Sequence, residues 1–152
     1  MTRKDLLVDP CPVCDGPLDV VSEEQEVRIG TRTALVPDEF SYCEACEEAY
    51  YSPGQMDATM RRASAEIRRR EGLLTPDQIR GIRKALGLTQ DAFEKLLGVG
   101  PKTAVRWEKG TVFQNRSTDS LLRVVAALPE SARFLAHLHG VDLSSRPRAA
   151  AR

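Results

Sequence analysis

The chain has 152 residues, 41% apolar and 29% charged, the length of one ordinary domain or two small ones. That composition excludes a disordered chain, and no apolar run approaches the roughly 18–20 residues of a membrane span. The net charge of zero hides a division: residues 1–74 hold 9 Lys and Arg against 15 Asp and Glu, and residues 75–152 hold 13 against 7. An acidic half before a basic half predicts two modules with different partners, the basic one facing phosphate.

In chain order, Met1–Asp9 carries no apolar signal core, which predicts a cytoplasmic protein. All four cysteines, Cys11, Cys14, Cys43 and Cys46, lie in the acidic half. Between the pairs, residues 18–21, 26–29, 33–36 and 39–42 are β-prone. Gly16-Pro17, Gly30 and Pro37-Asp38 punctuate them as turns. Ser52-Pro53 reads as a cap and first-turn proline, opening a helix to about Glu71. Met56, Met60, Ala63 and Ile67 form its expected inner face. The charged stop Arg68-Arg69-Arg70-Glu71-Gly72 places a linker over residues 68–74.

The second half reads as five helices. Thr75-Pro76-Asp77-Gln78 is a capping box that opens the first, with Ile79, Ile82 and Leu86 inward. Thr89 caps the second, with Phe93, Leu96 and Leu97 inward. Gly100-Pro101 opens a third that runs to Lys109 and closes at Gly110. Ser117 caps the fourth, carrying Leu121, Leu122, Val124, Val125 and Leu128. Pro129 opens the fifth, with Phe134, Leu135 and Leu138, and Gly140 ends it. Residues 142–152 read as a disordered tail.

Two motifs carry chemistry. Cys11-Pro12-Val13-Cys14 and Cys43-Glu44-Ala45-Cys46 are C-x-x-C pairs with 28 residues between them. Each loop delivers two thiolates, and together they complete the tetrahedral shell of one structural Zn2+. Gly16 gives the first loop backbone freedom. Redox thiols, an iron centre and disulfides are the rival readings. Redox thiols lack a thioredoxin-like βαβ pattern and disulfides lack a secretion signal, and a rubredoxin-like iron site stays open beside zinc. His137 and His139, the only histidines, lie in the other module, so no catalytic zinc with a histidine ligand is expected.

The second motif is a helix-turn-helix over residues 88–110. Ala104 and Trp107 face the core, and Lys102, Thr103 and Arg106 face outward, two cations offered to base edges or phosphates. The stretch resembles the Cro/repressor-type (XRE) family at Arg83, Gly87-Leu88-Thr89-Gln90, Leu97-Gly98-Val99 and Arg106-Trp107-Glu108-Lys109-Gly110. That resemblance implies that Gln90 touches phosphate. It also implies that Pro101, Lys102, Thr103 and Arg106 read bases, and that Arg83 and Glu108 form a structural ion pair.

The order of parts is more specific. Two C-x-x-C pairs around a sheet, a helix, a joint and this helix-turn-helix resemble the MqsA-type (YgiT-type zinc finger) antitoxins. Tyr42–Ala49 and Met56-Asp57 through Met60 match the exit of that family's zinc module. Thr75–Lys84, Ser117-Thr118 and Leu121-Leu122-Arg123-Val124 match its DNA module. The fold expected is α+β, a zinc-bound small antiparallel sheet plus helix before a five-helix XRE-type domain. The resemblance implies a toxin-binding zinc domain over 1–67 and a DNA-binding, dimerising domain over 75–141. It implies a non-enzyme: the antitoxin of a type II pair, blocking an mRNA-cleaving toxin of the MqsR ribonuclease kind. As a homodimer it represses its own operon at a palindromic operator, and no membrane is involved. The alternative is a stand-alone zinc-containing XRE-type regulator without a toxin.

Overall fold

The computed structural model describes residues 10–143. The chain divides into two compact units between Ile67 and Arg68.

The first unit is a three-stranded antiparallel sheet, β1 (Asp19–Ile29), β2 (Arg32–Cys43) and β3 (Glu48–Tyr50), in the order β1-β2-β3. Helix α1 (Pro53–Glu71) follows. Gly30-Thr31 joins β1 to β2, with Gly30 at φ +62°, the left-handed backbone that two-residue hairpin loops ask for. Four short strands were expected, and two long ones form, because Pro37-Asp38 is not a turn. Pro37 pairs with Glu24 in mid-strand. Its carbonyl accepts from Arg62 of α1 at 3.2 Å, away from β1. A strand residue's N and O point to the same side, so the missing N–H costs no bond to β1. Asp38 beside it is buried, and its carboxylate accepts from Tyr51 Oη at 2.7 Å and Thr59 Oγ1 at 2.8 Å.

Ser52 and Gln55 cap α1 reciprocally at 3.2 and 2.9 Å. Ala63 and Ile67 are buried as expected, but Met56 and Met60 are exposed, at 56% and 43%. Thr59 completes the buried stripe instead. A polar residue holds that position because the buried Asp38 needs its hydroxyl.

The second unit holds α2 (Pro76–Ala85), α3 (Gln90–Leu97), α4 (Thr103–Lys109), α5 (Arg116–Ala127) and α6 (Pro129–His139). With the sheet of the first unit they make the chain α+β. Ile79, Leu88, Phe93, Leu96, Ala104, Trp107 and Leu122 build the core, with Val125, Ala132 and Ala136 closing it. The Thr75–Gln78 capping box and the Thr89 cap form as read. The α5 cap is Asn115, whose Oδ1 accepts from the Thr118 amide at 2.8 Å, and not Ser117. On α6, Ala132 and Ala136 face the core, and Phe134 and Leu138 are exposed at 66% and 60%. Small residues let α6 approach closely, and the bulky ones lie on its other side.

Residues 68–74, read as a linker, are held in the second unit. Residues through Glu71 complete α1, and Leu73 and Leu74 are buried. Arg68 is 1% exposed. It donates to the Leu74 and Val112 carbonyls at 2.8 and 3.0 Å and to Gln114 Oε1 at 2.8 Å. Its guanidinium carbon lies 4.9 Å from the Phe113 ring centroid. Gln114 donates to Asp119 Oδ1 at 2.9 Å, and Asp119 accepts the Leu74 amide at 2.8 Å. Val141 and Leu143 pack against the core, and residues 144–152 of the expected tail lie outside the described residues.

Candidate metal centre and nucleic-acid interface

Sheet and turn geometry bring the four cysteines together. The first loop is a tight turn in which the Asp15 amide donates to the Cys11 carbonyl at 2.8 Å, and the Cys11 amide donates to the Gly16 carbonyl at 2.9 Å. Cys43 ends β2, and Cys46 lies in the turn that leads back into β3. Cys11 Sγ lies 3.5 Å from Cys46 Sγ, Cys14 Sγ lies 3.5 Å from Cys43 Sγ, and all four sulfurs are within 4.8 Å of one another. Tetrahedral ligands with Zn–S near 2.3 Å sit about 3.8 Å apart, so the set fits one such ion. Gly16 serves through space and not through backbone freedom. A Cβ there would meet Cys14 Sγ at 3.2 Å and Cys43 Sγ at 3.5 Å.

The thiols also behave as a set that wants a cation. Burial pushes the Cys11 thiol up, but hydrogen bonds from Tyr50, the Val13 and Cys14 amides and Cys46 outweigh it and bring it to about 6. Burial and the contacts with Cys11 and Cys43 push Cys46 to about 12. The Cys11 thiolate forms readily and the Cys14 and Cys46 thiols resist, a charge imbalance that a bound cation would relieve.

The second site is the pair α3 and α4. Gly98 ends α3 in the left-handed conformation, at φ +69°. Helix α4 begins at Thr103, two residues later than expected, because Lys102 also takes the left-handed conformation at φ +65°. Lys102 and Arg106 remain one turn apart, the Arg106 amide donating to the Lys102 carbonyl at 3.2 Å. Pro101, Lys102, Arg106 and also Lys109 are exposed, and Thr103 is half-buried. Ala104 and Trp107 are buried below them.

Two carboxylates hold this surface. Glu108 Oε1 accepts Arg83 Nε at 2.6 Å. Its Oε2 accepts Arg83 Nη2 at 3.1 Å, Arg80 Nε at 3.3 Å and Gln90 Nε2 at 3.1 Å. Burial pushes the Glu108 carboxyl up, and the bonds from Arg83, Gln90 and Arg80 overcome it and hold it below its ordinary range. Gln90 thus donates a side-chain amide hydrogen bond to Glu108, which fixes its side chain at the start of α3. Glu94, missed in the sequence, is buried in α3. Its Oε1 accepts the Ala104 amide at 2.9 Å and its Oε2 the Lys102 amide at 3.2 Å. The only signal for it was negative: Gly100-Pro101-Lys102 offers α4 no side-chain cap, so an acceptor had to come from elsewhere.

Four sulfurs placed to bind a metal ion in one unit and a helix-turn-helix with a cationic outer face in the other define a protein of the DNA-binding kind that carries a metal-binding module. Residues 10–134 match the family described as the antitoxin component of bacterial toxin-antitoxin systems, MqsA. The chain is 32% identical over 124 residues to Antitoxin MqsA of Escherichia coli (strain K12), a match spanning 79% of this chain and 94% of that protein. It is 31% identical over 65 residues to Antitoxin HigA-2 of Vibrio cholerae serotype O1, spanning 43% of this chain and 62% of that one. The chain belongs to the MqsA antitoxin family. Among the described residues, no helix is long and apolar enough to cross a membrane.

Proposed function

We propose that this antitoxin neutralises an mRNA-cleaving toxin of the MqsR kind through its first unit and represses its own operon through its second, without being an enzyme. The observation that carries this reading is the pairing of the two sites in one chain. The four cysteines hold Zn2+ as a structural ion, which folds a unit that has few buried apolar residues of its own. Lys102, Thr103 and Arg106, with Pro101 at their edge, read a palindromic operator, and Gln90 contacts phosphate. Arg83 and Glu108 tie α2 to α4 beneath them. A palindrome requires a two-fold symmetric reader, so the repressor is a homodimer. Val124, Leu128, Phe134 and Leu138, all exposed on α5 and α6 or at their junction, supply its apolar contact. Val125, on the same helix, lies in the core. The protein works in the cytoplasm, where its operon and its toxin are.

The test is a separation of the two activities. Lys102→Ala with Arg106→Ala removes two exposed cations and leaves Ala104 and Trp107 packed. A good base contact is worth roughly 1–3 kcal/mol, so the double variant, losing two, binds its upstream DNA more weakly by about 30-fold to about 10,000-fold or more. It still protects cells from the neighbouring toxin. A variant that represses normally, or that folds and no longer protects, refutes the assignment.

A further inference from the structure

The four sulfurs differ in their surroundings. Cys11 is fully buried, and the Tyr50 hydroxyl lies 3.6 Å from its Sγ. Tyr50 is the last residue of β3, paired with Ser41 of β2, so the sheet sets where its ring stands. Tyr50 is not a ligand. A metal-bound thiolate has no proton to give, so the hydroxyl is the donor of this pair.

Four thiolates bring more negative charge than one divalent cation neutralises. An exposed sulfur such as that of Cys14 sheds the excess to water, and a buried one needs a fixed donor. We propose that Tyr50 is a positioning residue of the metal centre, its O–H donating to the Cys11 thiolate and setting how firmly the chain keeps its metal. The inference rests on the four-cysteine metal centre and adds to it an outer residue with its own role.

The test uses the full chain loaded with zinc, and separately with cobalt(II), as wild type, Tyr50→Phe and Tyr51→Phe. Tyr51 donates to Asp38 at 2.7 Å in the same unit, so Tyr51→Phe controls for a general loss of stability. Loss of an outer-sphere partner typically costs roughly 10–100-fold in metal affinity. Tyr50→Phe should hold one ion per chain but lose zinc to a competing chelator at roughly 10–100-fold lower chelator concentration than wild type. Its sulfur-to-cobalt charge-transfer band should move to longer wavelength, because a thiolate without its hydrogen bond gives up an electron more easily. Tyr51→Phe should keep the wild-type band. An unmoved band in Tyr50→Phe, or equal losses of affinity in both variants, overturns the proposal. A wild-type chain that takes up neither ion overturns the metal centre itself, a distinct result.

Discussion

At the scale of single residues, two buried carboxylates hold helix α4, and they differ in how far the sequence announces them. Glu108 stands with Arg83 in the stretch that resembles the Cro/repressor-type family, and that resemblance implies their ion pair. Glu94 sits between Phe93 and Lys95 in an ordinary amphipathic helix, and only the geometry of Lys102 and Ala104 reveals what it caps. Glu94→Ala leaves two N-terminal amides of the α4 turn without an acceptor. Each unsatisfied group costs about 1–3 kcal/mol, so thermal or urea unfolding of the second unit should show a loss of about 2–6 kcal/mol. Glu94→Gln keeps one acceptor and should lose less. Glu108 makes the same unit sensitive to acid. Its folded carboxyl lies below the ordinary 4.5, and that of Asp119 lies below its ordinary 3.8, each because hydrogen bonds from arginine and other donors outweigh burial. The stabilisation they supply is complete above those ordinary values and is lost as the pH falls through the lowered ones. Glu108→Gln should therefore flatten the fall of stability with pH below about 4.5, in urea titrations of the kind that register the second unit.

At the scale of elements, helices with caps were readable and the phases of their faces were less so. The Thr75 and Thr89 caps carry a local mechanism, a side-chain oxygen on a free amide, and needed no tertiary information. Faces depend on what lies opposite. Apolarity pointed to Met56 and Met60 on α1, but a buried aspartate in β2 selected Thr59. Apolarity likewise pointed to Phe134 and Leu138 on α6, but close helix packing selected Ala132 and Ala136. Residues 68–74 show the same limit. Three arginines before a glycine look solvated, and Arg68 is instead the centre of a buried network whose acceptors lie 6 to 46 residues along the chain. Arg68→Ala strips Val112 and Gln114 of a charged donor, and such bonds are worth about 1.5–3 kcal/mol, so it should destabilise the second unit by about 3 kcal/mol. Limited trypsin checks the same point without a mutation. Arg68 should resist, and any early cut in this stretch should follow Arg69 or Arg70, identified by the masses of the fragments.

At the scale of the whole molecule, the two units draw stability from different sources. The first buries only a few apolar side chains, Ala34, Val36, Ala63 and Ile67 among them, and its hairpin exposes much of β1. Its two knuckles bring four sulfurs within 4.8 Å of one another, close enough to share one metal ion. The second has a continuous apolar core from Leu74 to Ala136 and contains no cysteine. Metal binding in such a small unit is folding free energy, because the unfolded chain has no preformed site. Chelation should therefore unfold residues 10–67 and leave α2 to α6 intact. Far-UV circular dichroism should keep most of its helical signal, and amide resonances of the sheet should collapse while those of Phe93, Ala104 and Leu122 stay dispersed. Helix α1 crosses the division, with residues 53–67 in the first unit and 68–71 in the second. Its resonances should melt from Pro53 up to the turn that Arg68 anchors and stop there. Adding zinc back should restore the sheet at one ion per chain. A sheet that stays ordered without metal, or a second unit that unfolds with the first, would mean that the two cores share their stability.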